Sequence, residues 1–216
     1  MGDFKTALGL AISLLILLVL MMPDYGISVV KRKEDDVYNF STVLFPISKP
    51  RITLVFADRT FKDYRNSPHM GTDMAPHAGS CGTPIISSVQ GRVTAANLYG
   101  SSRAGGNELV IEASLPFDVW AKNVSQQVKT IPKNQVFQLR YLHLQAINCK
   151  VGQVLTPGQQ IAVLGNTGHK STGCHLHLEL IYQGEKLDVL DLFVAAIPGL
   201  AQQIVYLPGS GHEALA

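Results

Sequence analysis

From Arg51 onward, short apolar runs alternate with Gly, Pro, Asn and Ser, the pattern of brief β-strands joined by turns. The runs Ile52–Ala57, Pro84–Val89, Arg92–Ala96, Leu109–Ala113, Val136–Leu144, Gln160–Leu164 and Cys174–Tyr182 are each predicted as strands. One helix is predicted over Asp188–Ala196, where Val189, Leu190, Phe193 and Val194 recur with helical spacing. No repeat of fixed period is visible. These elements imply a mainly β domain of short antiparallel strands, arranged as two packed sheets or a partly open barrel. Pro116–Asn134 reads as a more polar insertion between two strands, with Lys122, Lys129, Lys133 and the only tryptophan, Trp120.

The pattern changes before residue 51. Ala7–Met22 is a 16-residue apolar run broken only by Gly9 and Ser13, and Pro23 ends it. A core helix would show a polar face, which this run lacks. A full membrane span needs about 20 apolar residues, a secretory signal about 7–15, and the run falls between them. No small-x-small cleavage site follows directly; the nearest pairs Gly26 with Ser28. Residues 1–23 therefore read as an N-terminal hydrophobic helix that inserts into the membrane, an uncleaved anchor being preferred to a cleaved signal. Residues 24–50, with a charge cluster at 31–36, read as a juxtamembrane linker. Lys31, Arg32 and Lys33 outnumber Lys5, which by the positive-inside bias favours a cytoplasmic domain; that bias weakens when a long domain follows.

Composition narrows the function. The chain has 216 residues, room for one domain with an appendage, and 46% hydrophobic against 16% charged residues excludes a disordered or coiled-coil chain. A net charge of +2 does not indicate a partner held by charge alone, such as nucleic acid. Seven histidines and three cysteines are the first sign of chemistry.

The last predicted strand reads Cys174-His175-Leu176-His177-Leu178-Glu179-Leu180. Strand alternation places His175, His177 and Glu179 on one face and the leucines on the other. The two imidazoles then stand about 7 Å apart along the strand, which suits one as a metal ligand and the other as a nearby acid or base; taken alone, the pair fits a solvated polar face on an edge strand as well. Pro68-His69-Met70-Gly71-Thr72-Asp73 is an extended or looped segment that brings an imidazole and a carboxylate, both donors that zinc accepts. His69, Asp73 and His177 would give three protein ligands and leave a fourth position open, the pattern of a catalytic zinc site. His143 lies among apolar neighbours in Arg140-Tyr141-Leu142-His143-Leu144, and taken alone fits a core histidine as well as a functional one.

HMGTD, GTPIISSVQGRV, YLHL, VGQVLTPGQQIAVLGNTG and STGCHLHLEL occur in the order and spacing of the lysostaphin/LytM-type zinc metallopeptidases, which the chain resembles over about Pro68–Glu179. The resemblance implies a LytM-like antiparallel β-sheet fold of the duplicated hybrid-motif type, with a narrow catalytic groove. It implies one Zn2+ held by His69, Asp73 and His177, with His143 and His175 as unliganded catalytic histidines and no covalent nucleophile. His175 would orient or deprotonate a water, and His143 would donate to the developing oxyanion. Gly79–Pro84 and Gly165–Gly168 would be backbone turns bordering the groove. The implied activity is zinc-dependent endopeptidase hydrolysis of peptide bonds in peptidoglycan stem peptides or cross-bridges. Such a substrate places the domain outside the cytoplasmic membrane, held by the N-terminal segment.

The division that follows is 1–23 anchor or signal, 24–50 linker, 51–200 peptidase domain and 201–216 tail. Three features depart from the family pattern: HAGSC between Pro76 and Gly82, YLHL for the usual YGHL, and the 116–134 insertion. His77 in the longer link reads as a solvated loop residue before a spare ligand. Cys81 and Cys174 each adjoin a zinc-ligand block and are a candidate disulfide pair; zinc ligation by Cys174 is the other option. The alternative function is a non-catalytic LytM-type module that binds the wall or activates another hydrolase, but such a module should lack one of the five polar positions. A membrane-anchored component that opens the wall for a secretion or conjugation apparatus, with a protein partner, is compatible with either function.

Overall fold

The computed structural model describes residues 42–59, 67–77 and 80–197. The expected N-terminal helix over 1–23, residues 24–41 and the 201–216 tail lie outside the described residues. Among the described residues, no helix is long and apolar enough to cross a membrane.

Among the described residues, thirteen strands and one α-helix follow in chain order: β1 Pro50–Leu54, β2 Thr72–Pro76, β3 Pro84–Ile86, β4 Gly91–Asn97, β5 Asn107–Ala113, β6 Val119–Lys122, β7 Val128–Ile131, β8 Phe137–Leu144, β9 Ala146–Ile147, β10 Val154–Leu155, β11 Gln160–Val163, β12 Leu176–Tyr182, β13 Glu185–Leu187 and α1 Val189–Ala196. All pairings are antiparallel. The large sheet runs β1-β2-β12-β8-β5-β4-β10, with β13 also on β12; β3-β11-β9 form a second sheet and β6-β7 a hairpin. Every predicted strand and the predicted helix are present within a few residues. The additional strands are mostly short, too short for alternation to register in the sequence.

One apolar core joins both sheets, the hairpin and α1. Met74, Leu109, Ile111, Leu139, Tyr141, Leu176, Leu178 and Leu180 line the inner face of the large sheet against Ile85, Ile161 and Leu164. The outer face is polar, as alternation requires: Glu108, Gln138, Arg140, His177 and Glu179 sit between those apolar positions.

Two segments carry more of the core than their sequence reading gave them. The linker assigned to 24–50 does not extend through Val43, Phe45 and Ile47, which are buried in the core; Phe45 stacks on Phe193 of α1 with ring centroids 4.6 Å apart. The run is too short and too interrupted by Ser41, Ser48 and proline to show periodicity. The 116–134 insertion is a hairpin whose Val119, Ala121 and Ile131 reach the core. Lys122 N–H donates to Asp191 Oδ2 (2.9 Å) and Asp188 N–H to the Lys122 carbonyl (2.8 Å), locking the hairpin to α1.

Phe45→Ala should cost about 3–5 kcal/mol, as removal of a buried aromatic does, read as a lower denaturant midpoint with unchanged m-value. Asp188 caps α1 by accepting from Leu190 N–H at 2.9 Å, and burial, with Asp191 adding to it, pushes its carboxyl up to about 7. The folded state thus keeps a proton that the unfolded chain releases near its ordinary value of 3.8. This contribution to stability is complete below that pH and is lost as pH rises towards about 7. Asp188→Asn, which still caps, should flatten that part of a stability-versus-pH curve.

Candidate metal and catalytic site

Asp73 on β2 and His177 on β12 are register partners, so antiparallel pairing alone places their side chains together on the outer face. His69 arrives from the segment before β2. Ala57, at a left-handed φ of 60°, donates its N–H to the His69 carbonyl (2.7 Å), and His69 N–H donates to the Asp58 carbonyl (3.1 Å). This hook fixes His69 beside the two strand residues.

The atoms that meet are His69 Nε2, Asp73 Oδ1 and His177 Nδ1: 3.0 Å between the imidazoles, 3.2 Å from His69 to Asp73 and 2.8 Å from His177 to Asp73. The outward nitrogens decide what these atoms carry. His69 Nδ1 lies 2.9 Å from the Val55 carbonyl, which can only accept, so the proton points outward. His177 Nε2 lies 3.2 Å from Glu179 Oε1 and donates to that carboxylate. Three lone pairs, two from imidazoles and one from a carboxylate, are thereby aimed at one point, an arrangement that a cation satisfies. Among the described residues this is the one His/Cys/Asp/Glu cluster of metal-binding geometry, and its ligand types and open side suit zinc. His77 is exposed at the end of β2 and lies outside it.

The charges follow the same logic. Burial opposes ionisation of His177, but Asp73 and Glu179 outweigh it and hold the imidazole at about 9, the pull of a site whose surroundings favour positive charge. Burial likewise works against the Asp73 carboxylate, yet His177 and His69 keep it well below the usual carboxylate range. Glu179, also buried, is held down at about 2 by His177 and Lys186. Lys186 Nζ donates to its Oε1 at 2.6 Å and Arg140 Nη1 to its Oε2 at 3.4 Å, while Arg140 also pairs with Glu108.

Two further imidazoles flank the cluster, with the His143 ring centroid 4.7 Å from that of His175 and 6.0 Å from that of His177. His143 reaches this face through its backbone. Phe137, Leu139 and Tyr141 point into the core, and strict alternation would send His143 with them; a left-handed φ of 63° at His143 breaks the alternation. The leucine of YLHL does not occupy that strained position; it packs over Gly105, where a Cβ would meet Leu142 Cδ1 at 2.9 Å. His143 Nδ1–H donates to the Thr167 carbonyl (2.8 Å), and burial above all brings its pKa down to about 4, leaving a neutral ring with Nε2 free. The Gly165–Gly168 turn is therefore more than a border. A Cβ on Gly106 or Gly168 would overlap the opposing loop, so close backbone contact delivers this carbonyl. His175 Nδ1 donates to the Gly173 carbonyl (2.8 Å), and its Nε2 lies 3.7 Å from Asp73 Oδ2.

The structure thus brings together all five expected residues. Sequence reasoning missed the groups that orient them, namely Glu179 and the carbonyls of Val55, Thr167 and Gly173. Glu179 left a signal in its strand parity with His177; carbonyls leave none. Cys81 and Cys174 form a disulfide, which removes Cys174 as a ligand, and Cys149 is free.

Gly71 of HMGTD is required by space, since a Cβ there would stand 2.7 Å from His177 Cε1 and 2.8 Å from the Leu178 carbonyl. Gly71→Ala should therefore abolish stoichiometric zinc binding in a metal titration. Glu179→Gln, which loosens the orientation of His177, should weaken zinc affinity by about 10–100-fold in the same measurement.

Comparison with known proteins agrees with this geometry. The profile of Peptidase family M23 matches residues 67–189, which carry all five polar side chains. Peptidoglycan DD-endopeptidase ShyB of Vibrio cholerae is 34% identical over 123 residues, 57% of this chain and 22% of that protein. Peptidoglycan DD-endopeptidase ShyA of the same organism is 33% identical over 149 residues, 68% of this chain and 28% of that protein. The match thus spans roughly a quarter of the length of these curated relatives. Among solved structures, LytU is 26% identical with a TM-score of 0.50, covering 82% of this chain and 100% of that one. With more than half its length matched and the site residues in place, the chain belongs to Peptidase family M23.

Proposed function

We propose that this protein is a zinc-dependent endopeptidase hydrolysing peptide bonds in peptidoglycan stem peptides or cross-bridges, and that it works outside the cytoplasmic membrane, held there by its N-terminal segment. The observation that carries this reading is the convergence of three lone pairs, from His69, Asp73 and His177, beside two imidazoles whose Nδ1 atoms are committed to backbone carbonyls. When bound, zinc supplies Lewis acidity that polarises a carbonyl and acidifies a water.

The protein's own groups manage the protons. His175 donates from Nδ1 to Gly173, so its Nε2 is the acceptor, positioned beside Asp73 to take a proton from the attacking water and pass it to the departing amine. His143 likewise starts neutral with Nε2 as acceptor. It becomes a donor to the developing oxyanion only after taking up a proton from solvent; one such donor is worth roughly 2.7–4 kcal/mol. Ser171 Oγ lies 3.5 Å from His175 Nδ1, the nitrogen already committed to Gly173, so His175 does not activate it as a nucleophile.

The named activity of ShyA and ShyB supports peptidoglycan as substrate. The Cys81–Cys174 disulfide supports an oxidising compartment and therefore export.

Incubating purified sacculi with the full chain should release soluble muropeptides bearing new amino and carboxyl termini, resolved by chromatography and mass spectrometry. A chelator should stop the release; an unchanged muropeptide profile with zinc-loaded protein would overturn the reading. His69→Ala and His177→Ala should lose zinc and cleavage together, whereas His175→Ala should keep zinc and lose about 10²–10⁴-fold in rate.

A further inference from the structure

The β12 ladder begins at Leu176, which pairs with Met74, so strand pairing holds His177 but not the two residues ahead of it, Cys174 and His175. His175 owes its orientation to the Gly173 carbonyl, 2.8 Å from Nδ1. Ser171 Oγ adds contacts to Gly173 O (3.1 Å) and Asn166 Oδ1 (2.6 Å). Little packs on this segment: Thr172 is exposed, and a Cβ on Gly173 would meet nothing within 4 Å. Its covalent anchor is Cys174, which stands between Gly173 and His175 and is bonded to Cys81. The Cys81 turn is itself fixed, with Gly82 N–H donating to the Leu164 carbonyl (2.9 Å) and Leu164 N–H to that of Thr83 (2.8 Å).

We propose, resting on the hydrolytic reading above, that the Cys81–Cys174 disulfide is the positioning element of His175 and makes hydrolysis sensitive to thiols without disturbing the metal ligands. Both cysteines are half-buried and reachable. Two equivalents of a small thiol supply two electrons and two protons to the S–S bond. The protein is left with two thiols and the reductant becomes its own disulfide. His69, Asp73 and His177 stay in place because β2–β12 pairing and the hook at Ala57 hold them.

The test uses the full chain carrying Cys149→Ser, which removes the one other thiol. Four forms are compared: oxidised; reduced with a water-soluble phosphine and capped with iodoacetamide; reduced and re-bridged with dibromomaleimide; and the Cys81→Ser/Cys174→Ser variant. In the phosphine step, water provides the oxygen of the phosphine oxide and the two protons. Each form is assayed on purified cross-linked muropeptides, for zinc per chain, and by circular dichroism well below the melting temperature. The capped and serine forms should keep their zinc and folded spectrum, with KM little changed and kcat lowered about a hundredfold, the effect of a misplaced catalytic group. Re-bridging should restore most of kcat. Unchanged kcat in the capped form, zinc lost together with activity, or failure of the bridge to restore turnover would each overturn the proposal. If the oxidised form cleaves nothing, the hydrolytic reading fails, and carbethoxylation of His175 by diethylpyrocarbonate still reads the positioning. A faster reaction after capping supports it; an equal rate overturns it.

Discussion

Everything at the site depends on the antiparallel pairing of β2 with β12, which sets Asp73 opposite His177. A strand pair shows its side chains on alternate faces, so the register that buries Met74 against Leu176 and Leu178 also exposes the carboxylate and the imidazole on the other side. A slip of one residue would bury the ligands and expose the leucines, a cost no other part of the fold could offset. The apolar core therefore specifies the ligand geometry, and the ligands need add little to the register themselves.

The rest of the outer face reads as compensation for that placement. Aiming lone pairs at one point is unfavourable in a half-buried setting without a cation, and the surrounding charges are arranged accordingly. Glu179 orients His177, Lys186 and Arg140 balance Glu179, and Glu108 balances Arg140 in turn. This chain of ion pairs crosses β13, β12, β8 and β5, so the large sheet is tied on its outer face by charge as it is on its inner face by leucine and isoleucine. His143 is bought differently, by left-handed backbone strain that the tight approach of the Gly105–Gly106 and Thr167–Gly168 loops maintains.

Much of this was legible in the sequence because parity and punctuation are local. The leucines between His175, His177 and Glu179 announce which face is which, and the glycines of HMGTD and GNTG mark the turns that carry the ligands and loops. What stayed hidden is non-local. The parity of β8 assigns His143 to the core, and only the φ at that residue, set by contacts with distant loops, reverses it. The 116–134 hairpin read only as a polar insertion because its buried positions, Val119, Ala121 and Ile131, alternate over strands of only four residues. The carbonyls of Val55, Thr167 and Gly173 fix tautomers through atoms that every residue possesses, so no residue type could have marked them.

The burial of Val43, Phe45 and Ile47 ahead of β1 sets a boundary on processing. A protease that separates this domain from the residues before it has to cut upstream of residue 42. Cleavage between that point and β1 would unplug Phe45 from Phe193 and leave α1, and through it the β6–β7 hairpin, facing solvent. Removal of the preceding residues and retention of a sealed interior are thus compatible only on one side of a single short segment, residues 42–49, which carries no strand or helix of its own.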